Sequence, residues 1–378
     1  MPPLDAIVIG LGAAGSAALY HLAQRGARVV GFDRFRPPHG HGSSHGESRI
    51  IRRAYYEGAR YLPLLERSYE LWRELERTSG RRLLEVTGGL MIGMPEGALV
   101  AGSRASAEAY GIAHEMLSAQ AVSARFPAFA LPEDHVALWE PEAGLLHAEA
   151  CIEAHVEAAR RHGARTHMNE AVREWRPDGD GIAVTTTAGT YRAGRLVVCA
   201  GGWVKALLFD LALPLTIERQ VNGWFRPTAH AEGFSPAHCP VYMWERTPDE
   251  ILYGFPDLGS GVKAGLHHGG AQCAHPGDLV REPTSEDKIA LRRMLRRLLP
   301  DADGPLLRAQ TCFYTNTPDK DYLIDRHPAH PNVVFASACS GHGFKASPAV
   351  GEALAELALE GGTRLDLSAF RHRRLTDG

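Results

Sequence analysis

The first apolar cluster in the chain, Ala-Ile-Val-Ile at 6–9, is short, continuous and followed by glycine, a pattern that predicts a buried strand over 5–9. A helix is predicted over about 13–25, stopped by Gly26, and a second strand over 28–32 that ends at Asp33. Between the first strand and the helix stands Gly10-Leu11-Gly12-Ala13-Ala14-Gly15. In a βαβ unit of this kind Gly10 permits the tight turn, Gly12 lets a phosphate approach the backbone, and Gly15 lets helix and strand pack closely. The helix N-terminus favours the pyrophosphate charge. Asp33, 18 residues beyond Gly15, stands where a carboxylate accepts ribose hydroxyls. The motif serves NAD and FAD equally well.

Further along, residues 36–48 form a loop rich in Pro, Gly, His and Ser, and an amphipathic helix is predicted over about 60–78. A helix near 148–162 precedes a polar hairpin with its turn at Ala188-Gly189. The apolar strand from Arg195 to Ala200 then runs into Gly201-Gly202-Trp203, a second close approach of backbone to a cofactor of the kind two-dinucleotide-fold flavoproteins make. That feature favours FAD. Strand-like runs at 217–226, 240–244, 250–256 and 262–266, with a helix near 284–299 and partner strands near 86–93, predict a separate antiparallel sheet. The chain is then expected to return to the first domain through 306–315, 321–325 and 333–338 and to close with a helix over about 345–360.

A length of 378 residues exceeds the usual single core and agrees with two domains. Apolar residues at 44% and charged residues at 22% are ordinary globular values, and a net charge of −3 gives no footprint for nucleic acid or an anionic membrane. No apolar run approaches the roughly 20 residues of a membrane helix, and the first residues lead into a strand instead of a signal peptide, so a cytoplasmic location is expected. Six cysteines (151, 199, 239, 273, 312 and 339) lie far apart without a Cys-x-x-Cys, which suggests neither a zinc site nor a disulfide framework. His39, His41 and His45 fit no metal template, and no metal is expected.

Several rarer pieces occur in order: Ser44-His45-Gly46-Glu47-Ser48-Arg49-Ile50-Ile51-Arg52 with Glu57, Tyr253-Gly-Phe-Pro through Lys263 to His267, Cys312-Phe313-Tyr314, and Ser340-Gly-His-Gly-Phe-Lys345. With the glycine fingerprint they resemble, from end to end, the family of monomeric sarcosine oxidases and N-methyltryptophan oxidases among the D-amino-acid-oxidase-like flavoproteins. The resemblance implies an α+β (mixed α/β) fold, with a Rossmann-like FAD-binding domain over 1–85, 150–215 and 306–378 and an inserted antiparallel-sheet substrate domain over 86–149 and 216–305. It implies FAD joined to the Cys312 thiol through the 8α-methyl group, a step that needs a thiolate, which nearby cations favour.

The same resemblance distributes roles. Arg52 and Lys345 hold the substrate carboxylate by charge-assisted hydrogen bonds, with Tyr253 and Met243 in the pocket wall. Lys263 stabilises charge on oxygen as electrons reach it. His267 and Tyr314 face the substrate side of the ring, with His268 a weaker candidate, while His45 and Arg49 lie near the flavin. Further cofactor contacts are implied at Arg34, Ser43, Val172, Gly201, Trp203 and Phe344, and the Gly341–Gly343 turn meets charge on the reduced ring at a helix N-terminus. The implied activity is oxidative demethylation of sarcosine or a related N-methyl amino acid by O2, giving the parent amino acid, formaldehyde and H2O2, by a monomer with small-molecule partners only. N-methyltryptophan, proline and pipecolate remain alternative substrates, and a dehydrogenase passing electrons to a carrier remains an alternative reaction. Departures from the sarcosine enzyme put side-chain specificity in doubt: Ser44 replaces a histidine, Ser48 replaces a threonine, and the loop from Pro256 to Lys263 is one residue shorter.

Overall fold

The computed structural model describes residues 3–375; the outermost ends of the expected first domain, 1–2 and 376–378, lie outside them. The opening βαβ unit forms as its pattern predicts: strand Leu4–Ile9, helix Ala13–Gln24 and strand Val29–Asp33. All five residues of the second strand are buried because both faces of a parallel sheet are covered. Eight strands make this sheet among the described residues. Its spatial order is Val172–Asp178, Gly181–Thr186, Thr190–Val198, Leu4–Ile9, Val29–Asp33 and Arg165–Met168, with Val333–Ser337 and Leu323–Arg326 branching from Thr190–Val198. The strands Arg165–Met168 and Val172–Asp178 carry too few buried apolar residues to be read from the sequence.

Helix Leu62–Ser79 turns Leu64, Leu65, Leu71, Trp72 and Leu75 inward and ends at Gly80, whose φ of 68° suits a left-handed cap. It shares one core with helices Ala13–Gln24, Ala148–Arg161 and Ser347–Leu359. The last of these lies so close to the first that a Cβ on Gly351 would come within 2.5 Å of the Ala17 Cβ. That helix begins two residues later than expected, after a 3-10 turn, Phe344–Ala346, that contains Lys345.

A second sheet, nine-stranded among the described residues, carries the other core, against which helix Ser285–Leu298 packs. Thr284 and Asp287 cap that helix reciprocally, each side chain serving the other's backbone. The order is Gln272–Cys273, Thr216–Phe225, Val262–His267, Glu250–Phe255, Val241–Thr247, Gly89–Gly93, Val136–Glu140 and Glu115–Ser118. Two expectations need correction. Strand Leu306–Asn316 does not return to the first sheet: it pairs antiparallel with Thr216–Phe225 along nearly its whole length. A strand's own residues do not name its neighbour, and proximity in sequence to the strands after it was misleading. The second sheet is also not wholly antiparallel, because Val241–Thr247 and Gly89–Gly93 run parallel. Ser48–Ile51, Gly144–His147 and Leu84–Val86 form a small third sheet, with Arg49 on the first of these strands. Helices Ala98–Tyr110 and Ala119–Arg125 were not anticipated.

Candidate active site

Two cavities adjoin, sharing Ser43, Cys339 and Phe344 in their walls. The larger, of about 570 Å³, runs along the C-terminal ends of the first sheet's parallel strands, where ligands bind in open α/β sheets. Gly10, Gly12, Asp33, Arg34, Val172, Gly201 and Trp203 line it. Gly10 has φ 86°, and a Cβ there would lie 2.4 Å from the Cys199 carbonyl oxygen; a Cβ on Gly15 would lie 1.8 Å from the Gly10 oxygen. A Cβ on Gly12 meets nothing nearer than Ser44 Oγ at 3.5 Å. Packing thus demands the first and third glycines, whereas the second keeps the cavity open. Asp33 accepts the Leu11 and Phe35 N–H groups, each at 2.8 Å, which fixes its carboxylate at the cavity edge. Arg34 lies over the Trp203 ring.

The smaller cavity, of about 80 Å³, is lined by Arg49, Arg52, Glu57, Met243, Tyr253, His267, Cys312, Tyr314, Gly341, Gly343 and Lys345 among others. Four separate parts of the chain supply them. Arg52, 1% exposed, places Nη2 at 2.9 and 2.8 Å from the two Glu57 oxygens and Nη1 at 2.7 Å from the Ala54 oxygen. Its Nε is buried without a partner among the described residues. Burial alone would lower the Arg52 pKa, but Glu57 more than reverses this and keeps the guanidinium charged. Lys345 donates to the His342 carbonyl at 2.8 Å and to Tyr55 Oη at 3.3 Å, and burial, aided by Arg52 and opposed by Glu57, lowers it to about 7. Two cations and one carboxylate therefore leave this end of the cavity with a net positive charge while Lys345 is protonated.

His267 Nδ1 is 3.2 Å from Tyr314 Oη, and burial, followed by the neighbouring His268, His342, Lys345 and Arg52, pushes its pKa well below the ordinary histidine value. It is a neutral imidazole near pH 7, suited to orienting a ligand. A Cβ on Gly341 would strike both His267 and Tyr314 at 2.8 Å, so glycine is needed there on two counts, φ 81° being the other. His268 turns away and faces Glu218 at 2.9 Å.

Lys263 and His45 line neither cavity; both are buried behind the wall. Lys263 Nζ donates to Gly46 O at 2.6 Å, Ser48 O at 2.8 Å and Ser48 Oγ at 3.2 Å. Burial lowers its pKa well below the usual lysine value, yet three acceptors match the three N–H groups of an ammonium. Arg49 is held by the Ser43, His45 and Ser48 carbonyls. Ser43 donates to the Phe313 carbonyl at 2.6 Å. Burial, then Arg49, lowers His45 to about 3, and Gln310 Nε2 meets its Nδ1 at 2.9 Å. For Cys312, burial raises the thiol pKa, with Arg49 and Lys263 pulling the other way. The cations favour the thiolate, as expected, but desolvation outweighs them.

All six cysteines are free. His41 stacks on Phe35 and its N–H donates to His39, while His45 lies elsewhere, so the three histidines do not converge. Asp210, His327 and His330 bring their ligand atoms within 4.8 Å of one another, outside both cavities. Sequence reasoning missed Cys339, Tyr55, Glu218 and Asn222. The last two had a signal: a polar residue at every second position, Glu218-x-Gln220-x-Asn222, inside a predicted strand.

The sequence family described as FAD dependent oxidoreductase matches residues 5–357. A monomeric sarcosine oxidase of Streptomyces avermitilis is 46% identical over 378 residues, 99% of this chain and 98% of that one. An N-methyl-L-tryptophan oxidase of Escherichia coli is 37% identical over 374 residues, covering 98% and 99% of the two chains. Among solved structures, NikD, an unusual amino acid oxidase essential for nikkomycin biosynthesis, superposes with a TM-score of 0.85 at 27% identity over 98% of each chain. With this end-to-end likeness and a dinucleotide-sized cavity at a glycine-rich turn, the chain belongs to the FAD dependent oxidoreductases, in the group that holds the monomeric sarcosine oxidases and N-methyl-L-tryptophan oxidases.

Proposed function

We propose that the protein oxidises sarcosine, or a closely related N-methyl amino acid, with O2 as acceptor, yielding glycine or the parent amino acid, formaldehyde and H2O2. The observation that carries this reading is the pair Arg52 and Lys345 in the wall of a cavity of only about 80 Å³ that adjoins the larger one. A carboxylate is the ligand two buried cations favour, and the small volume suits an amino acid without a side chain better than an indole.

The larger cavity fits FAD by its own features. Gly12 presents bare backbone to it, and Thr315 Oγ1, in its wall, is buried without a partner among the described residues. When bound, FAD supplies the redox chemistry, accepting a hydride equivalent from the amine carbon and passing electrons to O2. The chain supplies the rest. Arg52 and Lys345 hold the carboxylate, Tyr253 and Met243 limit what stands beside it, and neutral His267 with Tyr314 orients the amine. Lys263 contributes fixed positive charge where oxygen gains electrons. Cys312 is read as the covalent attachment point, supported by its place in the small cavity's wall beside the wall shared with the large one. The adjective in the relatives' name supports a monomer, and a cytoplasmic location completes the reading; no helix among the described residues is long and apolar enough to cross a membrane.

Peroxide release by the purified protein, measured with sarcosine, N-methyltryptophan, proline and pipecolate, tests the substrate class. Sarcosine should give the highest kcat/KM, and activity on none of the four would reject the proposal.

A further inference from the structure

Strand Thr216–Phe225 sends alternate side chains to one face, and so Glu218, Gln220 and Asn222 share a side although all three are buried. In register, Glu218 lies opposite Tyr314 and Gln220 opposite Cys312. Buried polar groups need partners, and Glu218 has four: His268 at 2.9 Å, Asn316 Nδ2 at 2.5 Å, Gln220 Nε2 at 3.1 Å and the Gly270 N–H at 3.2 Å. Asn222 is used differently. Its Nδ2 donates to Cys312 Sγ at 3.7 Å, and its Oδ1 accepts the Tyr253 hydroxyl at 2.8 Å. Gly265 makes room for this, since a Cβ there would lie 2.5 Å from Tyr253 Oη and 2.9 Å from Asn222 Oδ1.

Tyr253 donates its hydroxyl to one end of the amide, and the other end faces the sulfur. With Tyr253 on Oδ1, the NH2 group is presented to Cys312. An N–H donor favours the charged over the neutral form of its acceptor, and an apolar side chain would fill the same space without the cost of burying an amide.

We propose that Asn222 is a positioning residue for flavin attachment: clamped by Tyr253, its amide aims an N–H at Cys312 Sγ and steadies the thiolate that bonds to the 8α-methyl carbon. The inference rests on the covalent link proposed above. In that step the thiol and the methyl carbon each lose a proton, one C–S bond forms, and two electrons stay on the ring until O2 takes them, with two protons, as H2O2. Arg49 and Lys263 act on the same sulfur through space, whereas Asn222 makes a directed contact.

Full-length protein produced under riboflavin limitation is mixed with FAD, and covalent loading is followed by flavin fluorescence of denatured bands and by mass, between about pH 6 and pH 9. Asn222→Val should load about tenfold more slowly near pH 7, one pKa unit being a factor of ten, and should approach the wild-type rate as pH rises and thiolate forms unaided. Asn222→Asp, the same shape with a negative charge, should load more slowly still and recover only at higher pH. Loading of both variants at the wild-type rate, or a slowing that is the same at every pH, overturns the role of Asn222 while leaving the covalent link intact. Wild-type protein that releases all its flavin on denaturation overturns the link and the inference together.

Discussion

The two cavities are built from different materials. The larger is walled at its critical points by backbone: a left-handed glycine turn, a helix N-terminus and strand ends from one contiguous βαβ unit. The smaller is made of side chains brought from four distant stretches, around residues 49–57, 243–267, 312–314 and 339–345. A backbone site tolerates almost any side chain that leaves it open, whereas a side-chain site depends on register, because one step along a strand turns each residue to the other face. The first can be shared by many enzymes and the second must be specific.

The sharpest way to break the comparison is to give the backbone site a side chain. Gly12→Val should leave the fold intact by circular dichroism, since the position is uncrowded, yet weaken FAD binding by at least about 100-fold, because the branched group occupies the space the phosphate needs. If FAD binds normally, the larger cavity is not the cofactor site as drawn.

Changes in the side-chain site should be graded. Lys263→Met should slow reoxidation by O2 by about 10²–10³-fold, as loss of one preorganised electrostatic group does, while flavin reduction by sarcosine changes little; stopped-flow absorbance separates the two half-reactions. Arg52→Met or Lys345→Met should each lower kcat/KM for sarcosine by roughly 10- to 100-fold, equivalent to the loss of about 1.5–3 kcal/mol for a hydrogen bond to a charged group. Unequal losses would show which cation carries the carboxylate.

The pH dependence follows from Lys345, which burial lowers to about 7. A carboxylate binds the ammonium form. Below pH 7 that form is already present, and above it each binding event must take up a proton. Inhibition by propionate, which has no amine to titrate, should therefore weaken as pH rises past about 7, by up to tenfold per unit, and Lys345→Gln should flatten the curve. A profile that strengthens with pH would place the titration elsewhere. The smallest effect is expected at Met243: replacement by Ala should improve kcat/KM for N-methyltryptophan relative to sarcosine by about tenfold, the scale of a few methylenes in an apolar pocket.

The same contrast explains what could be read from the sequence. The turn at Gly10, the open position at Gly12, the close packing at Gly15 and the strand end at Asp33 were legible because the βαβ pattern that carries them is local, although the Cys199 carbonyl that crowds Gly10 comes from just beyond a distant strand. Cys312, Lys263 and Lys345 were singled out only through resemblance, and their burial and partners could not be read at all. Nothing in the residues around Cys312 says that its strand lies beside Thr216–Phe225 and not in the first sheet, so the contact with Asn222 was out of reach. The net upward shift of the Cys312 thiol had the same origin, since desolvation is a property of the assembled interior and not of any segment. Arg52 was assigned to substrate, but its engagement with both oxygens of Glu57 appears only in three dimensions.

The pairing of Leu306–Asn316 with Thr216–Phe225 has a mechanical consequence. The glycine turn at the wall of the larger cavity belongs to the first sheet, and Cys312, in the wall of the smaller one, belongs to the second. Under the proposed covalent link the cofactor would be fastened at both ends, a bolt through two layers: neither sheet could peel away without dragging the other, and unfolding that would otherwise proceed layer by layer would become a single event.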